Sequence, residues 1–176
     1  MRKYRLWIAT GCCLFAVAIL AWAQINRKPG LWEITSTMTW QQSPFPPGMQ
    51  MPPAASAAFG GGPRTTQVCL TQAWIDRYGA PLPQSRGNCQ ATNVSLKPNG
   101  MTGDWVCTGP MAGKGTLEST WDDPEHAKGK MHFVGTMQAG RSPNPIPVEF
   151  TMTSESVYKG SDCGSVQPLQ MPPENK

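Results

Sequence analysis

The amino-acid sequence predicts a mainly β domain: an antiparallel meander curling into an open or closed barrel-like sheet, with one short helix and disulfide staples. Three observations predict it. Segments of six to twelve residues alternate apolar and polar side chains with the period of two that marks a half-buried strand. Pro98-Asn99-Gly100 and Asp122-Asp123-Pro124-Glu125-His126 separate such segments as hairpin turns. Cys69, Cys89, Cys107 and Cys163 lie beyond a leader-like opening, and an even number of cysteines suits two bridges in an oxidising compartment.

The opening has the three parts of a secretory signal: Arg2, Lys3 and Arg5, an apolar stretch from Leu6 to Leu20, and the small-x-small exit Ala21-Trp22-Ala23. Residues 1–23 are expected to be a cleaved signal peptide, with Gln24 first in the mature chain. A retained anchor competes, since Leu6–Ala23 approaches the ~20 apolar residues that span a bilayer. Lipid attachment at Cys12 would leave only Leu6–Ile8 as its apolar core. Cleavage removes three basic residues and none of the 11 acids, so the net charge falls from +4 to +1. That near-neutral balance removes the charge argument for nucleic acid or an anionic membrane.

Residues 24–176 are expected to form a single β-rich domain, long enough to bury roughly two-thirds of its unfolded surface. Pro29-Gly30 is a turn, after which Trp32, Ile34, Ser36, Met38 and Trp40 share one strand face and Glu33, Thr35, Thr37 and Thr39 the other. Residues 41–64 hold six prolines and four glycines in 24 positions, which excludes a helix or interior strand and predicts a mobile insertion. "TTQVCL" at 65–70 returns to strand character. Thr71 then caps a short helix over Gln72–Tyr78, closed by Gly79, with Trp74 and Tyr78 on one face. After the loop at 80–88, "CQATNVSLK", "MTGDWVC", "GTLESTW", "KGKMHFVGTM" and "PVEFTMTSESVY" read as successive strands.

No constellation of catalytic residues emerges. Two histidines, with His132 in mid-strand, offer no Ser/His/Asp set. "GPMAGKGT" at 109–116 imitates a phosphate loop, but three residues separate Gly109 from Gly113 and Gly115 stands where Ser or Thr should follow Lys114. Asn93-Val94-Ser95 fits a glycosylation acceptor inside a strand segment. The cysteines lack a Cys-x-x-Cys pair, which argues against zinc. Asp123 and His126, with Asp122 and Glu125, are weak metal candidates at what reads as a solvated hairpin tip. Met49 and Met51 are weak candidates for a soft metal such as copper. What remains is an apolar interior. Trp32, Trp40, Trp105, Trp121, Phe133 and Phe150, with Tyr158, are the candidate inward-facing residues, and a curled sheet lined by them either fills itself or holds an apolar ligand.

The leader, "KPGLWEITSTM", "TTQVCLT", the single cysteines at 89 and 107 and "YKGSDCG" resemble the exported bacterial proteins of the domain of unknown function 3617 (DUF3617) family. The resemblance covers most of the mature chain and is weakest at 41–64. It implies a periplasmic or secreted location and a small, mainly β domain with paired cysteines, and it implies no activity.

The reading is therefore an exported, non-enzymatic envelope protein that binds a small apolar molecule or an envelope protein partner. No cofactor, nucleic acid or membrane association after leader removal is expected. The alternatives are a hydrolase with a site built from scattered Asp, Glu and His, and copper handling through Met49 and Met51. The favoured bridges are Cys69 with Cys89, around the helix, and Cys107 with Cys163, tying the meander to the tail. Cys89 with Cys107, across the Asn99-Gly100 hairpin, is the competing pairing.

Overall fold

A computed structural model of the chain describes residues 27–45, 62–83, 88–138 and 144–171. Seven strands and one helix follow in the order β1 (Gly30–Gln42), β2 (Arg64–Leu70), α1 (Gln72–Tyr78), β3 (Asn88–Lys97), β4 (Gly100–Thr108), β5 (Met111–Thr120), β6 (His126–Met137) and β7 (Ile146–Gly160). They form one antiparallel sheet in the order β2-β1-β7-β6-β5-β4-β3. β3 to β7 are a meander of hairpins, and the β1–β2 hairpin docks its first strand on β7. No ladder joins β2 to β3, so of the two expected forms the sheet takes the open one.

The period-two faces place the core. On β1, Trp32 and Ile34 are buried while Thr35, Thr37 and Thr39 face solvent. Trp40 pairs with Phe150 on β7, which pairs with Phe133 on β6. Their rings meet edge to face at 5.1 Å and stacked at 5.2 Å. Next in register to Phe133 on β5 is Gly115, and next to Gly115 on β4 is Trp105. The glycine is required by close approach. A Cβ on Gly115 would collide with the carbonyl oxygen of His132, and one on Gly113 would lie 2.8 Å from Phe133 Cζ. Glycines in such close contact mark a bend between β5 and β6, and Phe133 lies over it with no exposure to solvent.

α1 fills one end of the concave interior. Thr71 accepts a hydrogen bond from the backbone N–H of Trp74 at 3.2 Å, and Gly79 ends the helix in the left-handed conformation at φ 69°. Trp74, Ile75 and Tyr78 are buried, and Trp74 Nε1 donates to the carbonyl of Ala80. The strap Ala80–Pro83 then crosses a row of small residues, Ser119, Gly129 and Ser154, leaving a void of only about 20 Å³ beneath it.

The helix agrees with its sequence boundaries, and several strand limits do not. β1 runs two residues into the segment expected as an insertion, because Gln42 keeps a ladder partner in Glu149, and β2 begins at Arg64. Residues 46–61 of that segment lie outside the described residues, as do residues 1–26 with the leader. β5 starts at Met111 rather than Gly115, since its glycines belong to the bend and not to a loop.

The favoured disulfide pairing is corrected: the bridges are Cys69–Cys163 and Cys89–Cys107. α1 carries the chain from β2 across the open gap to the opposite edge, which separates Cys69 from Cys89. Register then decides. Cys89 faces Cys107 directly across the β3–β4 ladder, Cα atoms 4.0 Å apart. The tail after β7 returns along β2, where Leu169 N–H donates to the carbonyl of Cys69 and Cys163 comes within bridging distance, with a Cα separation of 5.6 Å. Non-reduced peptide mapping is expected to find these two links and no others. By the chain-entropy relation, removing Cys69–Cys163 costs about 5 kcal/mol and removing Cys89–Cys107 about 3 kcal/mol, so urea midpoints of Cys69→Ala/Cys163→Ala and Cys89→Ala/Cys107→Ala should fall in that order.

Candidate apolar binding cavity

At the end of the interior away from α1, the sheet lines an open cavity of about 510 Å³. Its walls come from β1, β3, β4, β5, β6 and β7. Trp105 and Phe150 supply aromatic surface, and Met38, Met111, Met131, Met137 and Met152 supply flexible thioether chains. Three strand pairings bring the methionines together. Met38 and Met131 both face Met152 across the ladders, and Met111 faces Met137. Asn88, Thr108 and Gln138 add neutral polar groups, while Cys89 of the edge bridge completes part of the wall. None of the described lining residues is ionisable. The cavity therefore favours an uncharged apolar body with a polar group at Asn88, Thr108 or Gln138, because an unpaired charge there would be desolvated without compensation.

The six aromatic residues anticipated as ligand-facing divide in two. Trp105 and Phe150 line the cavity, with Trp40 and Phe133 packed against Phe150. Trp32 and Trp121 lie elsewhere, at the α1 end, where both hold Arg27. Its guanidinium sits 4.4 Å from the Trp32 ring centroid and 5.3 Å from that of Trp121. Nη1 donates to the carbonyl of His126 at 2.6 Å, while Nε and Nη2 are buried without a hydrogen-bond partner. Burial pulls the Arg27 pKa down to about 10, against the opposing influence of Asp123. The two indoles stabilise the cation that water no longer solvates. Trp121 also donates from Nε1 to the carbonyl of Pro98, and Trp32 from Nε1 to that of Lys28.

The remaining candidates have structural surroundings. Asp123 accepts hydrogen bonds from the backbone N–H groups of Glu125 and His126 at 2.6 and 2.8 Å, and the His126 ring Nδ1 lies 2.8 Å from its Oδ2. Glu125 pairs with Lys28 and His132 with Glu149. Among the described residues no group of three or more His, Cys, Asp or Glu side chains is placed to hold a metal ion. Met49 and Met51 lie outside the described residues. Sequence reading missed the cavity methionines as a group. Met38 and Met152 are visible as inward-facing from strand parity, but their convergence needs the strand order, which places the last strand beside the first.

A family model described as "Protein of unknown function (DUF3617)" matches residues 27–163. No curated protein and no solved structure matches the chain.

The turn at Asp123 predicts a pH effect. Hydrogen bonds from the Glu125 backbone and then from His126 hold the Asp123 carboxyl below its ordinary value of 3.8. A depressed acid stabilises the fold above its unfolded pKa, and that stabilisation is lost as pH falls through the lower, folded pKa. The difference in melting temperature between the wild type and Asp123→Ala is expected to be constant above about pH 5 and to shrink below the ordinary carboxylate value. Thermal unfolding followed by circular dichroism across this range is the check.

Proposed function

The chain belongs to the DUF3617 family, and from that premise we propose that it is an exported, non-enzymatic binding protein whose cavity takes a small, uncharged, apolar molecule. The cavity carries the reading. Its volume of about 510 Å³ falls in the ~300–1,000 Å³ range of small-molecule sites, and its wall is aromatic and thioether surface with a few neutral hydrogen-bonding groups. Methionine suits such a wall, because its unbranched chain adapts to occupants of different outline. The described lining offers no acid, base or nucleophile, so recognition rather than chemistry is what it provides.

Two disulfides suit an oxidising compartment, and the basic-apolar-small order of residues 2–23 suits removal of a leader at Ala23. The location proposed is periplasmic or secreted. Mass spectrometry of the exported protein is expected to find Gln24 at the amino terminus; a chain retaining residues 1–23 would overturn the processing.

The binding reading is tested with N-phenyl-1-naphthylamine, an uncharged apolar probe that brightens in a dry site. Saturable binding at one probe per chain is expected. Met111 is partly exposed at the start of β5, so Met111→Glu puts a carboxylate into the wall without disturbing the buried core. It should weaken the probe on the order of tenfold, through the cost of desolvating that charge, while Met111→Leu should leave affinity within about threefold. Wild-type protein that does not bind the probe, or a Met111→Glu variant that binds it unchanged, would sink the reading.

A further inference from the structure

Three of the cavity methionines occupy one row of the sheet. Met38 on β1 faces Met152 on β7, and Met152 faces Met131 on β6. All three side chains line the same cavity. Directly paired residues on antiparallel strands have Cα and Cβ atoms about 4.5–5.5 Å apart. A metal ion bound to three sulfurs at about 2.3 Å holds those sulfurs roughly 4 Å from one another. Met38 and Met131 flank Met152 from opposite strands, so their Cα atoms stand two strand spacings, roughly 10 Å, apart, and the long, three-torsion methionine side chains must converge over Met152. The row also contains its own contrast: on β5 its next member is Leu117, buried at 5 % exposure, so the sheet uses a branched hydrocarbon where it only needs to fill space.

We propose that Met38, Met152 and Met131 form a three-thioether site for a soft monovalent metal ion, Cu(I) or its redox-inert analogue Ag(I). Thioethers are soft, neutral ligands that select such ions over Mg²⁺, Ca²⁺ or Zn²⁺, which prefer oxygen, imidazole or thiolate. The ion keeps its single charge, which is less costly to desolvate than two, and the site lies in an apolar wall shared with Phe150 and Trp105. The site does not rest on the apolar-ligand reading, although an ion bound there would share the cavity with such an occupant. It is also distinct from Met49 and Met51, the thioether pair that stands out in the sequence.

The test titrates the full mature chain, disulfides intact, with Ag(I) in chloride-free buffer, reading stoichiometry by native mass spectrometry and affinity by calorimetry. One ion per chain is expected. Methyl resonances of Met38, Met131 and Met152 should shift on addition of silver, and those of Met111 and Met137 should not. Met38→Leu and Met152→Leu should each weaken binding on the order of tenfold or more, and the triple leucine variant should abolish it. Met49→Leu/Met51→Leu should leave it unchanged. Silver is titrated into probe-free protein and N-phenyl-1-naphthylamine into metal-free wild type, so the silver and the apolar-probe results fail separately. If the triple variant does not fold, partly exposed Met38 carries the test alone through Met38→Leu. Absence of silver binding, binding that survives loss of the Met38 sulfur, or binding lost with Met49 and Met51 would overturn the site.

Discussion

The bend at the centre of β5 and β6 is the constraint on which the rest of the structure depends. Gly113, Gly115 and Gly135 leave no room for a Cβ against the facing strand, and Phe133 lies across the positions that side chains would otherwise occupy. With ordinary residues at these positions the two strands could not approach and coil as they do, and the sheet would open out. A flatter sheet of this length has one apolar face, and nothing among the described residues is large enough to cover it, since their one helix is seven residues long. Curling makes the sheet its own partner: Trp40, Phe150 and Phe133 from three strands meet Trp105 from a fourth across the glycine gap.

Once curled, the interior divides by residue size. Toward the α1 end the inward row is Ser36, Ser154, Gly129 and Ser119, and these small side chains leave space for the strap Ala80–Pro83 and for the helix behind it. Tyr78, Trp74 and Leu82 fill that space to near completion. Toward the other end the inward residues are long but unbranched methionines, and the strap contributes Pro83 to their wall without filling the space. A filled end and a hollow end thus arise within one sheet from serine and glycine in one place and methionine in another. Arg27 marks the filled end. Its cation lies between Trp32 and Trp121 and so ties the start of the domain to the β5–β6 hairpin, an arrangement in which the indoles offset part of the desolvation that depresses its pKa.

Much of this was legible in the sequence because it is local. The alternation of Trp32 to Trp40, the Asn99-Gly100 turn and the Thr71–Gly79 cap pair each report on neighbours within a few residues, and each appears where its pattern placed it. What was not legible depends on strand order. The apolar face of β1 gives no sign that β7, rather than β3, lies beside it, and without that order neither the methionine row nor the Cys69–Cys163 bridge can be drawn. The favoured pairing of Cys69 with Cys89 closes the helix and the loop that follows it, whereas the ladder puts those residues on opposite edges. Glycines misled for a related reason: the expected strand begins only at Gly115 and leaves Gly113 outside it, yet both glycines serve close approach inside β5.

The corrected bridges explain how an open sheet remains open and yet intact. Its two edges are β2 and β3, and each carries one cysteine. Cys69 fixes the β2 edge to the tail, which also covers part of that edge through the Leu169 hydrogen bond and the Pro168 bridge. Cys89 fixes the β3 edge to β4, and farther along the same strand Asn93, at φ 52°, breaks the ladder with a bulge. A bulged strand and a strand half covered by its own tail are poor partners for each other and for other chains, so neither closure of the barrel nor edge-to-edge association competes with the open form. The Cys89–Cys107 bridge stands in the cavity wall itself, so the covalent link that secures the edge also holds in place part of the surface an occupant would meet.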